Sequence, residues 1–266
     1  MKKVVIAVVN GKGGTGKTET VYQIAKLLAP DVAVIDSDPQ ATLSRRLGAV
    51  LGADDLSPLG VYEYPGAPAP ALVKGRFGIS VLPAGQQLQN VPVHLSRFRG
   101  SRALRFMDAY VKTLDVPYVL IDCPPHFDHL TLNAMMAADR LLVPTAPEPA
   151  DMSGLAALAN VMGELMDDRG ADRPWRTGVI ATKVMQGTVR HTAGLLLLKH
   201  GFGVLDDVPA SVVNEFASVQ PFPQWPLLGA VRLTNGVYAE TERIRDYESI
   251  VAYAFERGEF RIAEGE

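Results

Sequence analysis

The feature that most constrains the fold is the start of the chain, where an apolar run leads through a glycine-rich loop into a helical pattern. Residues 4–9 read VVIAVV, a continuous apolar run that is typical of a parallel strand covered on both faces. The loop from Gly11 to Thr18 reads GKGGTGKT and matches the pattern G-x-x-x-x-G-K-[ST]. A helix is predicted over residues 18–28. This order of strand, loop and helix predicts a phosphate-binding loop at the carboxyl end of a strand.

The rest of the chain alternates short β-branched runs with helical patterns, which is typical of a parallel sheet with crossover helices. Further strands are predicted at residues 32–36, 79–83, 118–122, 140–144 and 177–182, and helices near 101–114, 131–138, 153–168 and 189–200. Residues 56–70 are rich in proline and glycine, which predicts a surface excursion. No repeat or linker divides the 266 residues, so we expect one domain over residues 1–266. The predicted fold class is α/β, a doubly wound, mostly parallel sheet with helices on both faces, as in phosphate-loop NTPases.

Composition narrows the class of protein further. Hydrophobic residues make up 47% of the chain and charged residues 21%, which is typical of a globular protein and not of a disordered one. The net charge of −3 means that any nucleic-acid contact needs a local basic patch. The single cysteine, Cys123, excludes an internal disulfide and fits a reducing compartment. The N-terminal apolar run is too short to span a membrane, so we expect a cytoplasmic protein.

The residue types of the loop match the chemistry of a bound phosphate chain. Glycine lets the backbone curl so that successive N–H groups converge on phosphate oxygens. Lys17 would reach the β- and γ-phosphates, and the Thr18 hydroxyl would ligate Mg²⁺. The expected nucleotide-binding residues of the loop are Gly11, Lys12, Gly13, Gly14, Thr15, Gly16, Lys17 and Thr18.

Acidic residues follow two of the predicted strands, at the edge where open α/β sheets bind ligands. Asp36 ends the second strand, Asp38 lies in the turn after it, and Asp122 ends a later strand. A carboxylate after four apolar residues needs a partner, and a metal ion with its waters beside the phosphates would be one. Capping of a following helix is the alternative role for any one of these acids.

Lys12 is a second lysine in a loop that needs only one, and most lysines on loops are simply solvated. With it, the loop resembles the deviant Walker A motif K-G-G-x-G-K-[ST] of the ParA/MinD family of dimerising ATPases. The stretch VAVIDSDPQATLSRRLG resembles the family's switch I, and YVLIDCPP resembles its Walker B strand with switch II. The PE pair at 147–148 also follows the family. The resemblance runs from Met1 to about Leu158 and is diffuse beyond.

The resemblance implies an ATP hydrolase with ATP and Mg²⁺ as cofactors. It implies that Lys12 crosses a dimer interface to the partner's nucleotide, and that Asp38 orients the attacking water. Lys12, Lys17 and Asp38 are therefore the expected catalytic residues, and Thr18, Asp36 and Asp122 the expected metal site. Further nucleotide contacts are expected at Glu148, Thr182 and Pro209, the last two at the adenine.

The resemblance also implies partners. They are a second copy of the chain in the ATP state, nonspecific DNA, and a ParB-like activator protein, with partition of a chromosome or plasmid as the outcome and the nucleoid as the location. Basic residues available for DNA are Arg97, Arg99, Arg102, Arg105 and Lys112, with Arg190, His191, Lys199 and Arg232 more scattered. Ala210 and Asn235 stand where family members carry arginine, so we expect a differently arranged DNA surface. The chain begins at its first strand, so we expect no helix-turn-helix domain before it.

Several alternatives stay open or are disfavoured. A related ATPase could position another cargo, such as a microcompartment, a cellulose-synthesis complex or the division-site machinery, and a ligase of the dethiobiotin-synthetase kind would give Lys12 no role. Membrane positioning of the MinD type needs a C-terminal amphipathic helix, and the ending AFERGEFRIAEGE is too acidic for one. A nitrogenase-type iron protein needs cluster cysteines. His126 and His129 are interpreted as loop residues and Cys123 as a small filler, while Glu19 has no assigned role.

Overall fold

The strands of this chain form one eight-stranded sheet, which confirms the predicted fold class. The computed structural model describes residues 3–52, 57–62, 70–98, 100–170, 173–200, 210–220, 222–233 and 240–252. The strand order is β3-β4-β2-β5-β1-β6-β7-β8, and every neighbouring pair is parallel except β3 with β4. The strands are β1 Val4–Val8, β2 Val32–Asp36, β3 Val73–Lys74, β4 Ser80–Leu82, β5 Tyr118–Asp122, β6 Arg140–Thr145, β7 Arg176–Met185 and β8 Leu227–Leu233.

Helices cover both faces of this sheet. They are α1 Lys17–Leu28, α2 Thr42–Leu47, α3 Val91–Leu95, α4 Phe106–Thr113, α5 His129–Ala137, α6 Pro149–Arg169, α7 Val189–His200, α8 Ala210–Glu215 and α9 Glu240–Val251. The predicted helices near 101–114, 131–138, 153–168 and 189–200 correspond to α4, α5, α6 and α7, with a 3₁₀ turn at Gly100–Leu104 before α4. Among the described residues, none of the helices has both the length and the apolar character to cross a membrane.

The central strand β1 explains why its sequence is apolar at every position. Successive side chains of a strand point to opposite faces, so a strand covered on both faces has no solvent side. Val4, Ile6 and Val8 pack into one core layer with α1 and α9, whereas Val5 and Ala7 pack into the other. Strand β1 is buried on both faces. Because it lies inside the sheet, between β5 and β6, its carboxyl end and the loop that follows lie near the centre of one sheet edge.

The structure corrects one expectation of the sequence and extends another. Residues 57–62 form a 3₁₀ helix, and its Val61 and Tyr62 are buried in the core, so this part of the predicted surface excursion is not at the surface. The apolar side chains that lie between the prolines and glycines pack this segment against the core. Residues 63–69 lie outside the described part of the chain. Strand β8 and helix α9 were not predicted; β8 extends the sheet beyond β7, and α9 packs on it.

Candidate functional site

The expected site residues converge because three strand ends are neighbours in the sheet. Val8 of β1 lies in register with Asp122 of β5, and Asp36 of β2 lies in register with the same Asp122. The loop that leaves β1 therefore begins beside both acidic strand ends. Parallel strands bring residues that are far apart in sequence to one edge, which is where ligands of open α/β sheets bind.

The loop has the backbone form of an anion cradle. Gly14 and Gly16 have φ values of 75° and 95°, which a residue with a Cβ rarely adopts. Gly16 is the N-cap of α1 and offers no side chain to cap the first N–H groups, which suits the binding of an anion at this helix end. Asn10 fixes the loop to the sheet, since its amide donates to the Pro144 carbonyl and its Oδ1 accepts from the Lys12 N–H.

The Lys17 side chain is buried inside the curl of this loop. Its ammonium donates to the carbonyls of Asn10 at 3.1 Å and Lys12 at 2.9 Å. Burial lowers the pKa of Lys17, and the negative charge of Asp122 is the largest opposing influence. The ammonium is thus held at the centre of the loop, in the position expected of a phosphate ligand.

The two strand-end acids have different surroundings. The Asp36 carboxylate accepts from the Ser44 hydroxyl at 2.6 Å and the Ser44 N–H at 2.8 Å, and burial still raises the pKa of Asp36 to about 6. Asp122 is fully buried, and neither of its carboxylate oxygens accepts a hydrogen bond of normal geometry within the described part of the chain, although the Thr18 hydroxyl lies near enough to favour its ionised form. Burial, followed by the charge of Asp36, raises the pKa of Asp122 well above its usual range.

The surroundings of Asp36 and Asp122 fit a nearby cation, because both carboxylates are buried and neither oxygen of Asp122 accepts a hydrogen bond of normal geometry within the described part of the chain. A buried charge without a partner is costly, and Mg²⁺ prefers oxygen ligands, water among them. The described residues contain no group of three or more His, Cys, Asp or Glu side chains that could hold a metal ion. The donor set at this edge therefore fits a Mg²⁺ held mainly by phosphate, water and the Thr18 hydroxyl, with Asp122 as the acidic partner. The interpretation of both histidines as loop residues holds for His126, which lies between β5 and α5, and is wrong for His129, which is the first residue of α5.

Asp38 lies at the more open mouth of the same edge. Its N–H donates to Asp36 at 3.2 Å, and its Oδ1 accepts from the Gln40 N–H at 2.9 Å. One carboxylate oxygen is thus used to hold the turn. The backbone bond to Asp36 links the expected water-orienting residue directly to the expected metal site.

The Lys12 ammonium has a different partner from the Lys17 ammonium. It forms an ion pair with Asp151 in the first turn of α6, with 2.7 Å between Nζ and Oδ1, and the Lys12 side chain is 38% exposed. The two lysines of the loop therefore occupy different environments: Lys17 is buried inside the loop, and Lys12 lies at its partly exposed rim. Asp151 was not among the residues expected from the sequence, because an acid in the first turn of a helix is common on dipole grounds alone.

Glu148, at the N-cap of α6, contacts a histidine within this chain. Its Oε1 lies 3.1 Å from Nε2 of His191, and Nδ1 of His191 accepts from the Met185 N–H. Because Nδ1 accepts a backbone proton, Nε2 carries the ring proton and donates it to Glu148. His191 is buried, so it is not part of an exposed basic surface. Glu148 as a nucleotide contact stays a prediction.

The residues expected at adenine are placed only in part. Thr182 is buried in β7, and its hydroxyl donates to the Thr15 carbonyl at 2.8 Å. Its methyl group packs against Gly16, where an added Cβ would come within 3.3 Å. Thr182 therefore supports the phosphate loop from the β7 side, and a contact with the base stays a prediction. Pro209 lies outside the described residues.

Two neighbours of the loop and one neighbour of Asp36 were not expected from the sequence. Phe127 packs so closely on Gly11 that an added Cβ would lie 2.5 Å from its ring, and Ser44 holds Asp36 from α2. The ammonium of Lys183 lies beside Gly14. No local pattern indicated any of them, since each contacts a residue from a different part of the chain.

Glu19, which had no assigned role, is an ion-pair centre. Its carboxylate pairs with Arg46 of α2 at 2.6 Å and with Arg243 of α9 at 3.3 Å, and it accepts from Gln23 at 2.8 Å. Burial opposes its ionisation, but the hydrogen bonds from Gln23 and Arg46 and the charges of both arginines leave the pKa of Glu19 below its usual value. The negative charge of Glu19 is thus neutralised locally, and its ion pairs connect α1 with α2 and α9.

Several basic residues considered for DNA are paired within the chain. Arg190 pairs with Glu215 at 2.5 Å, Arg232 with Asp246, and Lys112 with Asp108. Arg105 donates to the Asp168 carbonyl. Arg99 and Asn235 lie outside the described residues. Pairing reduces the net positive charge that these positions could offer to phosphate groups.

Known proteins match the first two thirds of this chain most closely in sequence. A family model described as an AAA domain matches residues 3–172. The chromosome partitioning protein ParA of Caulobacter vibrioides is 37% identical over 163 residues, 58% of this chain and 60% of the relative. The chromosome-partitioning ATPase Soj of Thermus thermophilus is 34% identical over 164 residues, 60% of this chain and 61% of the relative. The matched part is about three fifths of the length of these relatives.

Solved structures match nearly the whole chain in fold. The ATP complex of McdA from Cyanothece has a TM-score of 0.71 at 20% identity, covering 94% of this chain and 96% of McdA. Cobyrinic acid a,c-diamide synthase from Mycobacterium smegmatis, with bound ADP and magnesium, has a TM-score of 0.70 at 24% identity, covering 97% of this chain and 96% of the synthase. At these identities the similarity shows the fold alone.

Proposed function

Because the chain belongs to the AAA domain family and is of the ParA/Soj type, we propose that it is an ATP hydrolase that dimerises when it binds ATP. In its ATP state the dimer binds nonspecific DNA, and with a ParB-like activator it drives partition of a chromosome or plasmid. We propose further that residues 1–266 act as one ATPase domain, in the cytoplasm and on the nucleoid, without a membrane contact.

The observation that carries the proposal is the difference between the two loop lysines in burial and in partners. Lys17 is buried and bonded to carbonyls of its own loop, so it serves the phosphates of its own chain. Lys12 lies at the rim, where its partner is a carboxylate on α6. A partly exposed lysine can reach a second chain once it leaves its carboxylate partner, and this ion pair is weak because solvent screens it.

The roles of the remaining residues follow from their surroundings. The loop N–H groups and Lys17 bind the phosphate chain, and the Thr18 hydroxyl with Asp122 would hold Mg²⁺, which neutralises charge on the β- and γ-phosphates. Asp36, bonded to Ser44, fixes the turn that carries Asp38. Asp38 keeps one carboxylate oxygen beyond its bond to Gln40 and would orient the attacking water with it. Lys12 of the second chain would add positive charge where the transition state develops negative charge.

A second candidate is a related ATPase that positions a cargo other than DNA-bound partition complexes. It is favoured by the ion pairs that occupy Arg190 and Arg232, two positions considered for DNA. Both candidates share ATP binding, dimerisation and hydrolysis, and they differ in DNA affinity.

Co-sedimentation with nonspecific DNA separates the two candidates. The parent protein and Asp38→Ala would be tested with ATP and Mg²⁺, with ADP and Mg²⁺, and without nucleotide, each at low and high salt. For the partition switch we expect binding only with ATP, a steep loss with salt from counterion release, and prolonged binding by Asp38→Ala, because only water orientation is lost. Light scattering on the same samples reports dimerisation. A dimer that hydrolyses ATP but ignores DNA would favour the second candidate, and absence of nucleotide binding would refute both.

A further inference from the structure

Lys183 has a backbone conformation that its residue type does not favour. It lies in β7 with φ of 54°, in the left-handed region that few residues other than glycine adopt. The pairing of β7 with β8 shifts register between Ala181 and Val184, so Lys183 occupies a bulge in the strand. Bulges of this kind re-aim side chains near functional sites.

The bulge changes which side chains face the phosphate loop. In a regular strand, neighbouring side chains point to opposite faces, so Lys183 should point away from whatever Thr182 contacts. Thr182 contacts the loop through Thr15 and Gly16. Lys183 nevertheless reaches the same loop, since its ammonium lies 3.8 Å from the point that a Cβ on Gly14 would occupy. Two consecutive residues of β7 therefore contact the loop, and the left-handed φ makes this possible.

The ammonium of Lys183 lacks the partners that the other two lysines of this site possess. Lys17 is held by loop carbonyls and Lys12 by Asp151. Throughout the described ranges, Lys183 has neither an ion pair nor a side-chain hydrogen bond, although its side chain is half-buried. A half-buried ammonium beside a loop whose N–H groups converge on one point adds positive charge to an anion site and has no internal anion to neutralise it.

From this geometry we propose that Lys183 is a further nucleotide-binding residue, whose ammonium contacts the phosphate chain of a nucleoside di- or triphosphate held by the loop of the same chain. The inference rests on the proposed nucleotide binding and adds a third lysine to that site, approaching from β7. A lysine ammonium is a compact charge with three donors, which suits phosphate oxygens. Because the contact is with phosphates, its contribution grows with the number of phosphates on the ligand.

The test compares substitutions that separate charge from backbone strain. Lys183→Met keeps side-chain length and removes the charge, Lys183→Arg keeps the charge, and Lys183→Gly removes the charge while accepting the left-handed φ. Lys199→Met, on the exposed side of α7, is the control for the change in net charge. Dissociation constants for ATP and ADP with Mg²⁺, and for AMP, would be measured by displacement of a fluorescent ATP analogue.

We expect Lys183→Met and Lys183→Gly to weaken ATP binding by about tenfold, ADP binding by less, and AMP binding by roughly twofold or less. Lys183→Arg and Lys199→Met should stay within about threefold of the parent. If Lys183→Met does not fold, Lys183→Gly, which relieves the strain, gives the result. Unchanged ATP affinity in a folded Lys183→Gly, or equal weakening of ATP, ADP and AMP binding, would overturn the inference about Lys183 and leave the proposed function intact. A parent protein that binds no nucleotide would overturn both the inference and the proposed function.

Discussion

The ammonium of Lys12 lies 2.7 Å from Oδ1 of Asp151 in the same chain, at the start of α6. The side chains are 38% and 16% exposed, so solvent screens the pair and its strength is at most about 1 kcal/mol. A Lys12 that reaches a second chain must first leave Asp151. In the proposed dimer, the ion pair would therefore compete with the contact across the interface by a small, measurable amount.

Asp151→Asn should strengthen the ATP-dependent dimer, because Lys12 no longer has to leave a carboxylate. The expected gain in dimer affinity is up to about fivefold, the equivalent of about 1 kcal/mol. Analytical ultracentrifugation with ATP and Mg²⁺ measures it, with Asp167→Asn, an exposed acid on the same helix, as the matched control. A weaker dimer in Asp151→Asn would mean that Asp151 itself contributes to the interface.

Substitution of the two loop lysines should have different effects on nucleotide binding and on dimerisation. Lys17→Ala should abolish nucleotide binding, since the buried ammonium that offsets phosphate charge within the chain is gone. Lys12→Ala should bind ATP within roughly threefold of the parent, because the N–H cradle and Lys17 remain. It should not form the ATP-dependent dimer and should hydrolyse ATP more slowly. Nucleotide titration combined with size-exclusion chromatography distinguishes these cases. A Lys12→Ala protein that dimerises and hydrolyses like the parent would make Lys12 an ordinary loop charge.

The burial of Asp36 should make the stability of the protein depend on pH in an unusual direction. The pKa of Asp36 rises from an ordinary 3.8 to about 6, so its contribution to stability is complete below 3.8 and is lost as the pH rises through about 6. This corresponds to about 3 kcal/mol. In urea unfolding without nucleotide or Mg²⁺, the free energy of unfolding of Asp36→Asn, relative to that of the parent, should increase by about 3 kcal/mol between pH 4 and about 7.5.

The difference between the two proteins cancels the groups that do not interact with Asp36, and it includes the response of Asp122, whose pKa the charge of Asp36 raises. The lost hydrogen bonds to Ser44 shift the difference by a constant. A difference that stays the same at every pH would show that Asp36 titrates at its ordinary value in the native protein.

Removing the charge of Glu19 should destabilise the packing of α1 on α2 and α9. Glu19→Gln keeps the side-chain size but loses the ion pairs to Arg46 and Arg243, at an expected cost of roughly 1–2 kcal/mol. Nucleotide affinity should change by about twofold or less, because the charge is already neutralised locally. Urea unfolding and nucleotide titration check both, with Glu164→Gln on the exposed side of α6 as control. A large gain in ATP affinity would instead show that Glu19 repels the phosphates.

Much of the fold was predictable because its central strands are buried on both faces. The apolar runs at β1, β2, β5 and β6 end within a residue of their predicted limits, since glycine, proline or acidic residues follow them. The C-terminal strand β8 was missed. Its sequence LLGAVRL has Gly229 and Arg232 among its apolar residues, and its burial is uneven along its length. The buried Tyr62 was missed for the opposite reason, as prolines and glycines around it suggested a surface loop.

The sequence by itself determined the phosphate loop and the acids at the neighbouring strand ends. These depend on local properties: the spacing of glycines, the position of Lys17 and Thr18, and an acid directly after an apolar run. Only the tertiary structure decided which side chains reach that loop from elsewhere. Asp151 meets Lys12, and Lys183 reaches Gly14, across more than one hundred residues of chain. Such contacts depend on how separate elements pack and on one bulge in β7, and no local pattern encodes the distance between two elements that fold side by side.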